Sequence, residues 1–147
     1  MTMANRFRVG AAVVAAVAGS ATAFGVAGAT PPPEFLNGFR SPTGNITCTI
    51  ADKGAVCEIA QHTYPTPGKP ADCYQTYGDR VVLYLGSQAR FTCHGDTIRD
   101  TSLPVLYYDH SVRSGDVECF SERSGIRCTN ARYGHWFRIA AEAYELH

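Results

Sequence analysis

Residues 39–59 read FRSPTGNITCTIADKGAVCEI, and the reading of this stretch decides the fold. Ser41-Pro42-Thr43-Gly44 has turn chemistry, because proline presets its own φ and glycine accepts a positive one. Beyond it Ile46, Cys48 and Ile50 share one face of an alternating run, and Ala55, Cys57 and Ile59 share one face of the next. Period-two alternation in two short runs joined by a turn is the pattern of a β-hairpin. With residues 51–54 as a four-residue loop, Ile50 faces Ala55 and Cys48 faces Cys57. Gly54 then supplies the left-handed residue that closes the loop.

The same frame returns at residues 116–130, DVECFSERSGIRCTN. In both copies eight residues separate the cysteines and a glycine stands three before the second one. The register carries over, with a loop at 122–125 and Cys119 opposite Cys128. Directly opposed residues have Cα atoms about 4.5–5.5 Å apart, a span a disulfide tolerates. Six cysteines, Cys48, Cys57, Cys73, Cys93, Cys119 and Cys128, follow an apparent export signal, which implies a disulfide framework. The reading favours the local pairs 48–57, 73–93 and 119–128. The alternative, in which each hairpin uses its cysteines to staple other strands, stays open.

That signal occupies residues 1–29. Arg6 and Arg8 form a positive start, residues 9–18 are rich in Ala and Val, and small residues place cleavage after Ala23 or Ala29. The apolar run is shorter than the roughly 20 residues a membrane-spanning helix needs, so the mature chain is expected to hold no span. Its loss takes the net charge from 0 to −2, since Arg6 and Arg8 leave and no acid does. Arg123, Arg127, Arg132 and Arg138 are diluted by Glu122, Glu142 and Glu145 and read as a solvated face. Nothing here has the basic footprint of a nucleic-acid binder.

Residues 30–38, TPPPEFLNG, form a proline-rich leader, and residues 39–147 a single domain. Further strands are expected at 80–85 (RVVLYL, a central strand), 89–93, 103–108 (LPVLYY), 117–120, 126–130 and 135–139, with one helical turn at 140–143. Residues 63–70, TYPTPGKP, make an exposed connector. No stretch sustains a 3.6-residue period. The fold class is mainly β, a small disulfide-stapled antiparallel domain built from hairpins, with little or no helix outside the signal. Its expected core is Val82, Leu83, Leu85, Phe91, Leu106, Trp136 and Phe137.

FRSPTGNITC, the repeated cysteine and glycine spacing, CHGDT at 93–97, and GIRCTN followed by GHWF together resemble one family. It is the small secreted six-cysteine proteins of actinobacteria, mycobacteria included, a domain of unknown function. The resemblance runs from about Phe39 to Leu146. It implies a bacterial, exported, disulfide-bonded protein and brings no activity. Trp136 stands where the family's segment usually has a small residue.

Candidate chemistry is sparse. Of the five histidines, His94-x-Asp96 and Asp109-His110 come nearest to metal spacing, and neither has a second partner at a recognisable distance, so no metal and no cofactor is expected. A hydrolase could join Ser41 or Ser121 to His135 and Asp96, but no nucleophile motif is present and six bridged cysteines leave no thiol. No catalytic residue is assigned. His94, Asp96, His135 and Trp136 are the candidate functional residues. Tyr and Trp are numerous enough to form a binding face. The expected function is a secreted, non-enzymatic module that binds a protein or envelope component. The alternatives are a small hydrolase using His135 and Asp96, or a protease-inhibitor-like module using residues 64–70, from Tyr64 to Pro70.

Overall fold

The computed structural model describes residues 38–147, so the expected signal at 1–29 and the leader up to residue 37 lie outside the described residues. Gly38, the last leader residue, already belongs to a strand. The strands in chain order are β1 (Gly38–Arg40), β2 (Ile46–Ala51), β3 (Gly54–Ile59), β4 (Arg80–Tyr84) and β5 (Arg90–Phe91), then β6 (Ser111–Ser114), β7 (Val117–Glu122), β8 (Gly125–Asn130), β9 (Trp136–Ile139) and β10 (Tyr144–Leu146). They form two five-stranded antiparallel sheets ordered β1-β2-β3-β4-β5 and β10-β9-β8-β7-β6. Each sheet is a meander of consecutive strands, and no described residue is helical.

Alternation builds the core. Ile46, Cys48 and Ile50 of β2, and Ala55, Cys57 and Ile59 of β3, point inward, as do Val81 and Leu83 of β4. Val117, Cys119, Ile126, Cys128, Phe137 and Ile139 answer from the second sheet. Cys48 pairs in register with Cys57, and Cys119 with Cys128. The bridges are Cys48–Cys57, Cys73–Cys93 and Cys119–Cys128. The first and third meet in the centre, with Sγ of Cys57 3.9 Å from Sγ of Cys128, a van der Waals contact between two fully buried disulfides.

The hairpins are tighter than expected. Ala51 pairs with Gly54 and Glu122 with Gly125, which leaves two-residue turns at 52–53 and 123–124. Gly54 and Gly125 therefore open the returning strands and do not close the loops. A Cβ on Gly54 would run into the carbonyl of Leu83 on β4, and one on Gly125 into the carbonyl of Ile139 on β9. The duplicated glycine lets a third strand approach the hairpin.

The duplication extends beyond the hairpin. Cys57 faces Val81 and Ala55 faces Leu83 across β3–β4, while Cys128 faces Phe137 and Ile126 faces Ile139 across β8–β9. Each hairpin is thus the middle of its own sheet, and β4 is the fourth strand of one sheet instead of a strand flanked by both hairpins. The halves differ most in one connection: residues 60–79 link β3 to β4, but only 131–135 link β8 to β9. Cys73–Cys93 ties the longer connection down.

Residues 103–108 are not a strand. Pro104 has no N–H to give a ladder, Val105 makes only an isolated bridge to Arg40, and Asp109 turns the chain with φ 64°. This segment carries the chain from one sheet to the other, and the strand it precedes, β6, has no strong sequence signal. Residues 140–143 form a tight turn closed by the Ala140 N–H to the Ala143 carbonyl, not a helical turn. Leu85 and Trp136 leave the expected core, because Leu85 sits beyond the end of β4 and Trp136 points outward from β9. Tyr64 joins it: the ring is 4% exposed, lies edge-on to Tyr144 at 5.0 Å, and donates its hydroxyl to the Gly78 carbonyl at 2.9 Å. Burial, with Asp79 and Tyr144 adding, pushes that phenol far above its usual range. Within the proline-rich connector only Tyr64 is buried; Thr63 before it and most of residues 65–70 after it are exposed.

Candidate binding surface

His94 and Asp96 come together on the outer side of the first sheet, around a charge that the sequence did not advertise. Glu58 points outward from β3 and is 1% exposed, because residues 94–99 cross over it. Its Oε2 accepts from Arg80 Nη2 at 2.7 Å, Arg80 Nε at 3.2 Å and the Ile98 N–H at 3.1 Å. Its Oε1 accepts from the Thr97 hydroxyl at 2.7 Å and pairs with Arg99 Nε at 3.0 Å. Burial alone would raise the Glu58 pKa. The bonds from Thr97, Arg80 and Ile98 and the Arg80 charge outweigh it and hold the carboxyl below the usual range. Arg80 in turn donates Nη1 to the Asp96 carboxylate and Nη2 to the Asp96 carbonyl, both at 2.9 Å. Buried ions persist when paired and hydrogen-bonded in this way.

His94 is buried beside this lock. Its Nε2 lies 2.9 Å from Asp79 Oδ1 and its Nδ1 2.6 Å from the Asp96 carbonyl. An Asp–His pair is half of a proton-relay arrangement, but here both ring nitrogens are engaged within the fold, by the Asp79 carboxylate and the Asp96 carbonyl. Gln75, Arg80, Thr92, His94, Asp96 and Ile98 border an open cleft of about 440 Å³. No positioned nucleophile is among them. Ser121 is fully buried on the core side of β7, and the Ser41 hydroxyl accepts the Ile46 N–H. Among the described residues, no hydrogen bond or ion pair joins Asp96 to His135. His135 lies in the β8–β9 turn, where its carbonyl accepts the Asn130 N–H.

Trp136 belongs to a different surface. Outward-facing residues of β4 and β5 in the first sheet and of β9 and β8 in the second, with His147 just beyond β10, give the series Tyr84, Arg90, His147, Trp136 and Arg127. Arg90 lies over Tyr84, its guanidinium carbon 5.7 Å from the ring centre. The Ala89 N–H reaches the His147 carbonyl at 3.3 Å and so links the edges of the two sheets. His147 stacks on Trp136 at 4.1 Å, and Arg127 lies over the same indole at 4.4 Å. At one end, the turn at Gly86 approaches Tyr133, which carries Arg132 at 5.6 Å. Tyr84, Leu85 and Tyr133 are 45%, 38% and 47% exposed. Among the described residues, neither Arg90 nor Arg132 pairs with a carboxylate, and Arg127 Nε makes no hydrogen bond, only a long ion pair with Glu122 Oε1 at 3.9 Å. Isolated exposed apolar residues are ordinary. A contiguous run of exposed rings interleaved with unpaired guanidiniums has the composition of an interface.

The sequence reading found Trp136 but took Arg127 and Arg132 for part of a solvated face. The missing signal is tertiary: Arg90 and His147 become neighbours only where the sheet edges meet.

The chain matches the model of a family of unknown function, DUF6636, over residues 16–146. It belongs to that family. No curated protein and no solved structure matches it. In this DUF6636 member, then, the reading of the surface rests on its own geometry.

Proposed function

We propose that this family member is a secreted, non-enzymatic binding module that works at or outside the cell envelope, with the Tyr84–Arg127 band as its contact surface. The observation that carries this reading is the band itself. It joins exposed rings to the guanidiniums of Arg90 and Arg132, which no carboxylate of the described residues pairs, and to Arg127, whose Nε lies 3.9 Å from Glu122 Oε1. Two further features support it. The Asp–His pair described above has both ring nitrogens engaged within the fold, and all six cysteines are bridged, as suits an oxidising compartment. No helix among the described residues is long and apolar enough to cross a membrane. Residues 1–29 act in this reading as an export signal removed after Ala23 or Ala29.

Hydroxyl-radical footprinting of the protein, alone and mixed with isolated envelope and culture-supernatant fractions, tests the assignment. Protection of Tyr133 and Trp136 is the expected result, Tyr84 being shared with the border of the His94 cleft. Protection confined to the cleft at His94 and Asp96, or none at all, would remove the band as the contact surface.

A further inference from the structure

The two sheets hold a clue to what the band takes. On the first sheet, Glu58 and Arg80 face each other across β3–β4. At the equivalent position of the second sheet stand Thr129 and Trp136, facing each other across β8–β9. The first position is covered by residues 94–99, a non-helical segment that lays the Asp96 carboxylate and carbonyl on Arg80 and gives the Ile98 N–H to Glu58. The second has no such cover, and Trp136 and Arg127 are half-exposed there. The protein thus shows, on one of its own sheets, the kind of segment that this outer face accepts.

We infer that the band binds an extended, acidic polypeptide segment of a partner protein, an assignment that rests on the binding reading above. Charge favours it. Arg90 and Arg132 are unpaired among the described residues, Arg127 has only the 3.9 Å contact to Glu122, and guanidinium forks match carboxylates. Ring geometry favours a peptide over an acidic sugar. A sugar ring binds by lying flat on an aromatic face, yet both faces of Trp136 are occupied, by Arg127 and by His147. Tyr84 and Tyr133 each carry an arginine on a face as well. What Trp136 still offers is its edge, and what the arginines offer is N–H donors. Acidic side chains on an extended backbone use both.

Trp136 is the only tryptophan in the chain, so its fluorescence reports on this site alone. The full chain is titrated with oligo-glutamate, whose self-repulsion keeps it extended, and in parallel with oligogalacturonate and with a Gly-Ser peptide of equal length. Saturable change with oligo-glutamate is expected, weakening as salt rises. Arg90→Gln and Arg132→Gln should each weaken it about two- to fivefold, the range of an exposed charge pair. Arg113→Gln, on the far edge strand β6, should leave it unchanged. Circular dichroism confirms that each variant is folded. The inference is overturned if oligo-glutamate gives no saturable change, or if the arginine variants bind as the wild type does. Tighter binding of oligogalacturonate would overturn the peptide assignment and leave the contact surface standing. Loss of the footprint would remove the surface itself.

Discussion

The outer faces of the two sheets start from the same strand order and end in opposite states. On the first, an acid and a base face each other at Glu58 and Arg80, and the chain folds residues 94–99 back over them. On the second, the corresponding pair is Thr129 and Trp136, and the face stays open. Sheet cores tolerate little difference, so apart from Ser121, which stands where the first hairpin has Ile50, the inward positions of the two hairpins stay apolar and the disulfides stay paired. Outer faces are under no such constraint. One is closed over its charged pair, with Tyr84 and Arg90 at its β4–β5 end left outside that cover, and the other presents Trp136 and Arg127. The longer β3–β4 connection and its bridge, Cys73–Cys93, belong to the closed half only.

The comparison can be broken first at its charged position. Glu58→Ala leaves Arg80 buried without its closest partner and should cost about 3–5 kcal/mol, whereas Thr129→Ala should stay within about 0.5 kcal/mol. Denaturant unfolding of both variants checks this, and similar losses would refute the contrast between the faces. Where the halves are alike, they should respond alike. Gly54→Ala and Gly125→Ala each drive a Cβ into the carbonyl of the neighbouring strand and should each cost about 2–3 kcal/mol. A large effect at one site alone would show that the duplication does not reach the third strand.

Acid sharpens the contrast further. The folded-state pKa of Glu58 lies below its unfolded value. Its stabilisation is therefore complete above the usual glutamate range, about 4.3, and is lost as pH falls through the folded value. The unfolded chain binds more protons there, so stability rises with pH. Asp96, held low by Arg80, Asp100, held low by Ser102, and Glu145, held low by Arg138, act in the same direction. Glu58→Gln should flatten the acid limb of a stability–pH curve and converge on the wild type at its lowest point. An unchanged slope would contradict the role given to the lock. The smallest effect is expected on the open face. Arg127→Gln should change Trp136 emission while shifting stability by less than about 1 kcal/mol, the scale of a partly exposed cation–π contact.

Legibility followed the length scale of the interaction. The hairpin register at Cys48 and Cys57 was readable because side chains alternate with period two and a tight turn fixes the offset. The mainly β class followed from the same local rule. Gly54 was readable as a required glycine but not for the right reason: its constraint is the Leu83 carbonyl, on a strand that begins more than twenty residues later. His94 and Asp96 were singled out together and do meet, yet Glu58, Arg80 and Asp79, which give them their setting, carry no local pattern. Tyr64 looked like the start of an exposed loop because prolines follow it, and only the neighbouring sheet edge, with Phe91 and Tyr144, shows why it is buried.

By itself, then, the sequence determined the strands of the repeated hairpin, their cysteine register and the disulfide-rich class, since turn chemistry and period-two patterning act between near neighbours. The tertiary structure alone decided that the two hairpins become the centres of two facing sheets, that one outer face closes over Glu58, and that the other opens around Trp136. Those outcomes depend on where strands distant in the chain come to lie, and burial and charge pairing between distant residues leave no periodic trace in a linear chain.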